Sequence, residues 1–180
     1  ECPHCAAAQP VLAQILARFG DQVRFVYRHF PMVEVHPVAG PAAEAAEFAG
    51  SRRLFWQMHQ SIFANQLRLS VPLLVSLAAQ LKLSPVDLRD ALATGVFAPK
   101  VRGDFIAGVR SGVNGTPTFF VNGIRHDSPH GVAALASAID QSGAPRSRAG
   151  ARHLLRLPAV RALASDERLL RIARAALRGT

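Results

Sequence analysis

The chain opens Glu1-Cys2-Pro3-His4-Cys5, and those two cysteines are the only ones among its 180 residues. From Pro3 to Phe19 the pattern is helical. Val11, Leu12, Ile15, Leu16 and Phe19 form an apolar stripe, Pro3 suits a first helical position, and Gly20 suits a C-terminal cap. The thiol pair is therefore expected at the N-terminus of a helix. Val23-Arg24-Phe25-Val26-Tyr27 follows, rich in β-branched and aromatic residues, and reads as a strand ended by Arg28-His29-Phe30-Pro31.

Residues 41–112 read as helical. One helix starts at Pro41 and stops near Gly50, a second covers about 53–66 with Phe55, Met58, His59, Ile62 and Phe63 at helical spacing, and a third covers 71–81. Ser84-Pro85 is an N-cap followed by a first-turn proline, and 99–109 forms the last helix of the block. Gly115-Thr116-Pro117-Thr118-Phe119-Phe120-Val121-Asn122-Gly123 changes the register. Residues 118–121 read as a strand, Asn122-Gly123 as a two-residue hairpin turn, and 124–126 as the return strand. A helix over about 131–141 closes the block.

The charge is uneven. The whole chain carries 21 Lys+Arg against 12 Asp+Glu, a net +9. Residues 1–143 are nearly balanced, and the excess lies in the nine arginines beyond them. Nucleic-acid binding by the main body is not expected. No run of about 18 apolar residues occurs. Residues 142–157 read as a linker. Residues 158–180 read as a basic amphipathic helix: Leu163, Leu169, Leu170, Ala173, Ala176 and Leu177 share an arc of about 140°, with Arg161, Arg168, Arg171, Arg174 and Arg178 opposite. Such a helix could suit an anionic membrane surface or a nucleic acid, but the reading preferred is a helix packed on the domain or on a second copy, with a solvated Arg face.

Cys-x-x-Cys at a helix start has a specific chemistry. Unpaired N–H groups and the positive end of the helix dipole converge there. Both favour thiolate over thiol at Cys2, and the thiolate is the nucleophile. Cys5, one turn on, is placed to resolve a mixed disulfide at Cys2. His4 adds a donor or a positive charge beside the pair. A structural zinc site needs four ligands, and two histidines would have to supply the other half. A structural disulfide closing so short a loop is a poor staple.

The residues Glu1-Cys2-Pro3-His4-Cys5, Arg28-His29-Phe30-Pro31, Phe55-Trp56-Gln57-Met58-His59 and 115–123 together resemble the DsbA-like family of thioredoxin-fold thiol–disulfide oxidoreductases, over about residues 1–141. The family's members occur alone or fused to membrane transporters. The resemblance implies an α/β thioredoxin-like fold with a helical insertion at about 41–112. It also implies a cis peptide before Pro117 and a Thr116 backbone free to pair with an extended substrate segment. In that fold a central strand feeds the Cys-x-x-Cys helix, so at least about ten further, mostly apolar residues are expected ahead of Glu1.

The expected activity is disulfide exchange with substrate proteins through Cys2 and Cys5, tuned by Pro3 and His4, with disulfide donation as the direction. No metal or organic cofactor is expected. A redox partner must recycle the pair, and an extracytoplasmic location such as the periplasm or cell envelope fits an oxidase. The alternatives are a reductase or isomerase using the same residues, and a redox-sensing domain fused to a membrane transporter. Glu34 and His36 are expected as solvated loop residues, His59 as a packed core histidine, and Phe55, Trp56 and Phe63 as core. Arg28 calls for a carboxylate partner that the sequence does not name.

Overall fold

The structure is a computed structural model that describes residues 1–127 and 131–142. The described part divides into two compact units, one of Glu1–Cys2 with Tyr27–Asn114, the other of Pro3–Val26 with Gly115 onward. The expected linker from 143 on and the basic helix of 158–180 lie outside the described residues.

The first unit is helical. Helix α2 (Ala39–Gly50), α3 (Phe55–Ala64), α4 (Val71–Gln80), α5 (Pro85–Thr94) and α6 (Ala98–Arg110) follow one another with short connections. Two of these starts are written in the sequence. The Ser70 and Ser84 hydroxyls accept the N–H groups of Leu73 and Asp87, and each serine is followed by a proline in the first turn. Helix α5 ends on Gly95 in the left-handed conformation, which glycine adopts without steric cost. The core is made by Phe48, Met58, Leu74 and Leu88, fully buried among the alanines of α2 and α4. Small residues let the helices approach closely around those four large side chains. Arg52 lies over the Phe48 ring at 3.8 Å, a cation–π contact that covers the edge of this core.

In the second unit, helix α1 (Pro3–Phe19) packs on α7 (Val132–Gln141). Ile15, Phe19, Leu135 and Ala136 form its buried centre, with Phe119 against them. Strands β1 (Phe119–Val121) and β2 (Ile124–His126) form a two-stranded antiparallel sheet. Phe119 faces His126 and Val121 faces Ile124. The Asn122-Gly123 turn has positive φ at both residues, 49° and 83°, as a two-residue hairpin requires.

One expected element differs. Among the described residues, 23–27 make no β-ladder. Their side chains still alternate between half-buried and exposed through Arg28, so the extended period of two is present. Propensity and alternation dictate an extended backbone, but a strand is a property of a pair of chains. The helix over 53–66 is also shorter than expected. It runs Phe55–Ala64, and Gln66–Arg68 forms a separate turn of 3₁₀ helix.

Gly108 of α6 marks a close approach. A Cβ there would meet the Phe30 ring at 2.8 Å, and that ring is itself stacked on Phe105 at 4.5 Å between centroids. Alanine gains roughly 1 kcal/mol in helix propensity over glycine, while overpacking costs about 1–3 kcal/mol. Gly108→Ala is therefore expected to lower stability by about 1 kcal/mol in urea denaturation. Leu74→Ala, which empties a fully buried site, is expected to cost about 2–5 kcal/mol in the same measurement.

Candidate functional site

Cys2 stands immediately before α1, and Pro3 is that helix's first residue. Proline fits there because the first N–H groups of a helix have no internal partner. Both cysteines are half-buried. Cys5 is one turn into the helix, and its carbonyl accepts a hydrogen bond from Gln9 Nε2 at 3.2 Å. Pro3 and His4 are exposed. The structure thus has one thiol at the positive end of a 17-residue helix and a second three residues along.

Thr116 and Pro117 are half-buried and joined by a cis peptide. They lie just ahead of β1. The Thr118 hydroxyl donates to the Gly115 carbonyl at 2.8 Å and closes the turn that presents them.

A second group of polar side chains lies wholly within the first unit. Asp104, 5% exposed, is its hub. It accepts hydrogen bonds from Arg28 Nη1 at 3.0 Å, from Lys100 Nζ at 2.6 Å and from the His29 backbone N–H at 3.3 Å. His29 Nε2 lies 2.9 Å from Glu47 Oε1, and Lys100 Nζ lies 3.9 Å from the same oxygen. Asp104 is thus the carboxylate that Arg28 required. Burial pushes its carboxyl up, but the hydrogen bonds from Lys100, His29 and Arg28 outweigh burial and hold it below its ordinary value. Burial lowers His29, against the pull of Glu47 in the other direction.

The ligand atoms of His29, Glu47 and Asp104 lie within 4.8 Å of one another, a geometry that suits a cation. Lys100 and Arg28 already stand on these carboxylates, however. Two cations balance two carboxylates, and a divalent ion would have to displace Lys100. These three residues therefore form a closed ion network rather than an open metal centre. One cue to it is legible in the sequence, the Lys100/Asp104 pair at i, i+4 on a helix. The contributions of Glu47 and His29 are set by the fold.

His59 is a packed core histidine, as expected. It is 5% exposed, edge-on to Tyr27 at 4.6 Å and in contact with the rings of Phe55, Trp56 and Phe63. Burial, helped by His29, lowers it to about 3. Phe63 is buried, while Phe55 and Trp56 are half-buried. Glu34 is exposed, and His36 is half-buried in the turn that leads into α2.

A family model described as Thioredoxin matches residues 1–141. The chain belongs to the thioredoxin family. Three curated relatives are Na(+)/H(+) antiporters. NhaA 3 of Salinispora tropica is 42% identical over 139 residues, covering 77% of this chain and 21% of the relative. NhaA 1 of Salinispora arenicola is 41% identical over 139 residues, with the same coverage. NhaA 1 of Mycolicibacterium vanbaalenii is 34% identical over 142 residues, covering 78% and 23%. This thioredoxin-family chain therefore spans about a fifth of the length of the curated relatives it matches. No solved structure gives a significant match.

Both buried histidines are held below their ordinary value. Below pH 6.5 the unfolded chain takes up protons at these sites before the folded one does. Stability is expected to fall on acidification from pH 6.5 to 5 by about 1 kcal/mol per pH unit through His59, held at about 3, and His29 adds a loss of the same sign. Urea denaturation across that range checks this, and His59→Gln should flatten the slope by that amount. Asp104→Asn removes the charge from three hydrogen bonds while Arg28 and Lys100 stay in reach of water, and is expected to cost about 1–2 kcal/mol at pH 7.

Proposed function

We propose that this domain exchanges disulfides with substrate proteins through Cys2 and Cys5, in the manner of a DsbA-like oxidoreductase, and that it donates disulfides. The observation that carries the reading is the placement of the thiols: one directly precedes a long helix that starts with proline, and the other lies one turn inside it. Membership of the thioredoxin family supports it. Within this reading, helices α2–α6 are the helical insertion between the extended 23–27 segment and the hairpin.

In the oxidising direction a substrate thiolate attacks Cys2 Sγ of the Cys2–Cys5 disulfide. The S–S bond breaks and Cys5 leaves as a thiolate. A second substrate thiolate then attacks the mixed disulfide on the substrate sulfur and expels Cys2. The substrate loses two electrons and two protons, and the pair gains them as two thiols. The helix N-terminus stabilises the Cys2 thiolate, which makes it a good leaving group and favours the reduced pair. Pro3 and His4 tune that thiolate from the solvent side. Thr116, beside the cis Pro117, offers backbone hydrogen bonds to an extended substrate segment. A partner outside this chain reoxidises the pair, and an extracytoplasmic location suits this direction.

A second reading is favoured by the names and lengths of the relatives. Antiporters about five times longer than the matching segment suggest a redox-responsive domain within a larger membrane transporter. The sequence of the whole gene separates the two. Contiguous apolar spans of about 20 residues favour the fused domain, and a cleavable signal peptide favours a free enzyme.

The reduction potential of the Cys2–Cys5 pair against glutathione tests the direction. A disulfide donor is expected above about −180 mV, and a value near about −270 mV would mark a reductant. Mixed with a disulfide-bonded substrate protein, Cys5→Ser is expected to accumulate mixed disulfides on non-reducing gels, because the Cys2 thiolate attacks the substrate disulfide and no Cys5 thiolate is present to expel it. Cys2→Ser is expected to form none and to lose oxidase activity towards a reduced, unfolded protein.

A further inference from the structure

Helix α6, within the first unit, departs from the pattern of a surface helix on its solvent side. Such helices ordinarily carry charged and polar residues there, as α5 does with exposed Asp87, Arg89 and Asp90. Past the first turn of α6, the exposed residues are Arg102, Gly103, Ile106, Ala107, Val109 and Arg110. They fall within an arc of about 160°, at about 100° per residue. The arc combines two arginines with apolar or small residues and holds no acidic or uncharged polar side chain. Ile106 is 39% exposed and Val109 52%.

The inner side of the helix accounts for its other residues. Asp104 is its one acid, buried in the ion network with Lys100 bonded to it. Phe105 and Gly108 lie against the Phe30 ring. Among the described residues, Arg102 and Arg110 take part in no ion pair. Arg110 lies in the last turn, where a cation suits the helix dipole. Arg102, in the first half, has no such reason. Glycine is costly inside a helix, yet a Cβ on Gly103 would meet nothing within 4 Å. Packing does not call for glycine at that point.

These residues suit a flat surface that is negatively charged and apolar beneath. The two arginines stand on either side of Ile106 along the arc, and a guanidinium bonds phosphate in a bidentate way. An arginine stem lies along apolar surface while its head stays in water. Ile106 and Val109 can therefore enter a lipid layer while the guanidiniums stay among the headgroups. Gly103 and Ala107 keep the profile of the helix low. A protein partner is recognised through directional polar groups, and the guanidiniums are the only ones the arc offers.

We propose that the outer face of α6 is a contact surface for anionic lipid: Arg102 and Arg110 take phosphate headgroups, and Ile106 and Val109 enter the layer beneath them. Neither reading of the thiols assigns this face, and the proposal stands whichever of them holds.

Hydroxyl-radical footprinting tests it on the whole protein that the gene encodes. The protein is placed with bilayers of phosphatidylcholine alone and with bilayers of phosphatidylcholine and phosphatidylglycerol. Mass spectrometry reads oxidation at Ile106 and Val109, with Val86 of α5, 60% exposed, as the reference. With the anionic bilayer, oxidation at Ile106 and Val109 is expected to fall about threefold relative to Val86, and to recover at about 1 M salt, which screens the attraction. The double variant Arg102→Gln/Arg110→Gln is expected to lose this protection while Val86 oxidises as before. Equal oxidation in the two bilayers would overturn the proposal. High values in both would mean no lipid contact, and low values in both would mean cover by another part of the protein or by a second copy. Protection that survives the double variant would overturn it as well, since the arginines would not be its source.

Discussion

One carboxylate organises the first unit. Asp104 is nearly sealed from water, yet it carries a charge because Arg28, Lys100 and the His29 N–H all donate to it. A buried ion pair contributes little net stability, since desolvation offsets most of the attraction. Its effect is on specificity. Only one placement of residues 28–29 against α6 and α2 satisfies Asp104, Lys100, Glu47 and His29 together. Sliding the extended segment by one residue would turn His29 outwards and leave Asp104 short of two of its donors. The apolar core tolerates approximate fits; this network does not.

The histidines depend on the same arrangement. His29 lies against Tyr27 and Phe55, and His59 against Tyr27, Phe55, Trp56 and Phe63. Imidazole rings in aromatic surroundings are favoured in the neutral form. Glu47 partly offsets this at His29, whereas at His59 desolvation dominates and His29 adds to it. The two buried histidines therefore differ in their electrostatics.

The thiols are governed by a different constraint, the geometry of a helix end. The position of Cys2 before Pro3 at the start of a long helix supplies the dipole and the free N–H groups. Local sequence therefore carries most of this part of the site. The cis peptide at Thr116–Pro117 was reachable only through a family resemblance, because an X-Pro dipeptide by itself favours trans.

By itself the sequence determined the features that are local. These are the helix starts at Pro3, Ser70 and Ser84, the Asn122-Gly123 hairpin, the Cys-x-x-Cys at a helix N-terminus, and His59 on an apolar helix face. Caps, turns and amphipathic stripes act over a few residues, so their signal is complete within the segment that folds. Only the tertiary structure decided that residues 23–27 form no ladder among the described residues, that Asp104 is the partner of Arg28, that Glu47 faces His29, and that Glu1 reaches Val38. Each depends on which distant backbone arrives alongside. A carboxylate on a helix is an ordinary solvated charge until the fold sets a guanidinium and an ammonium against it and excludes the water.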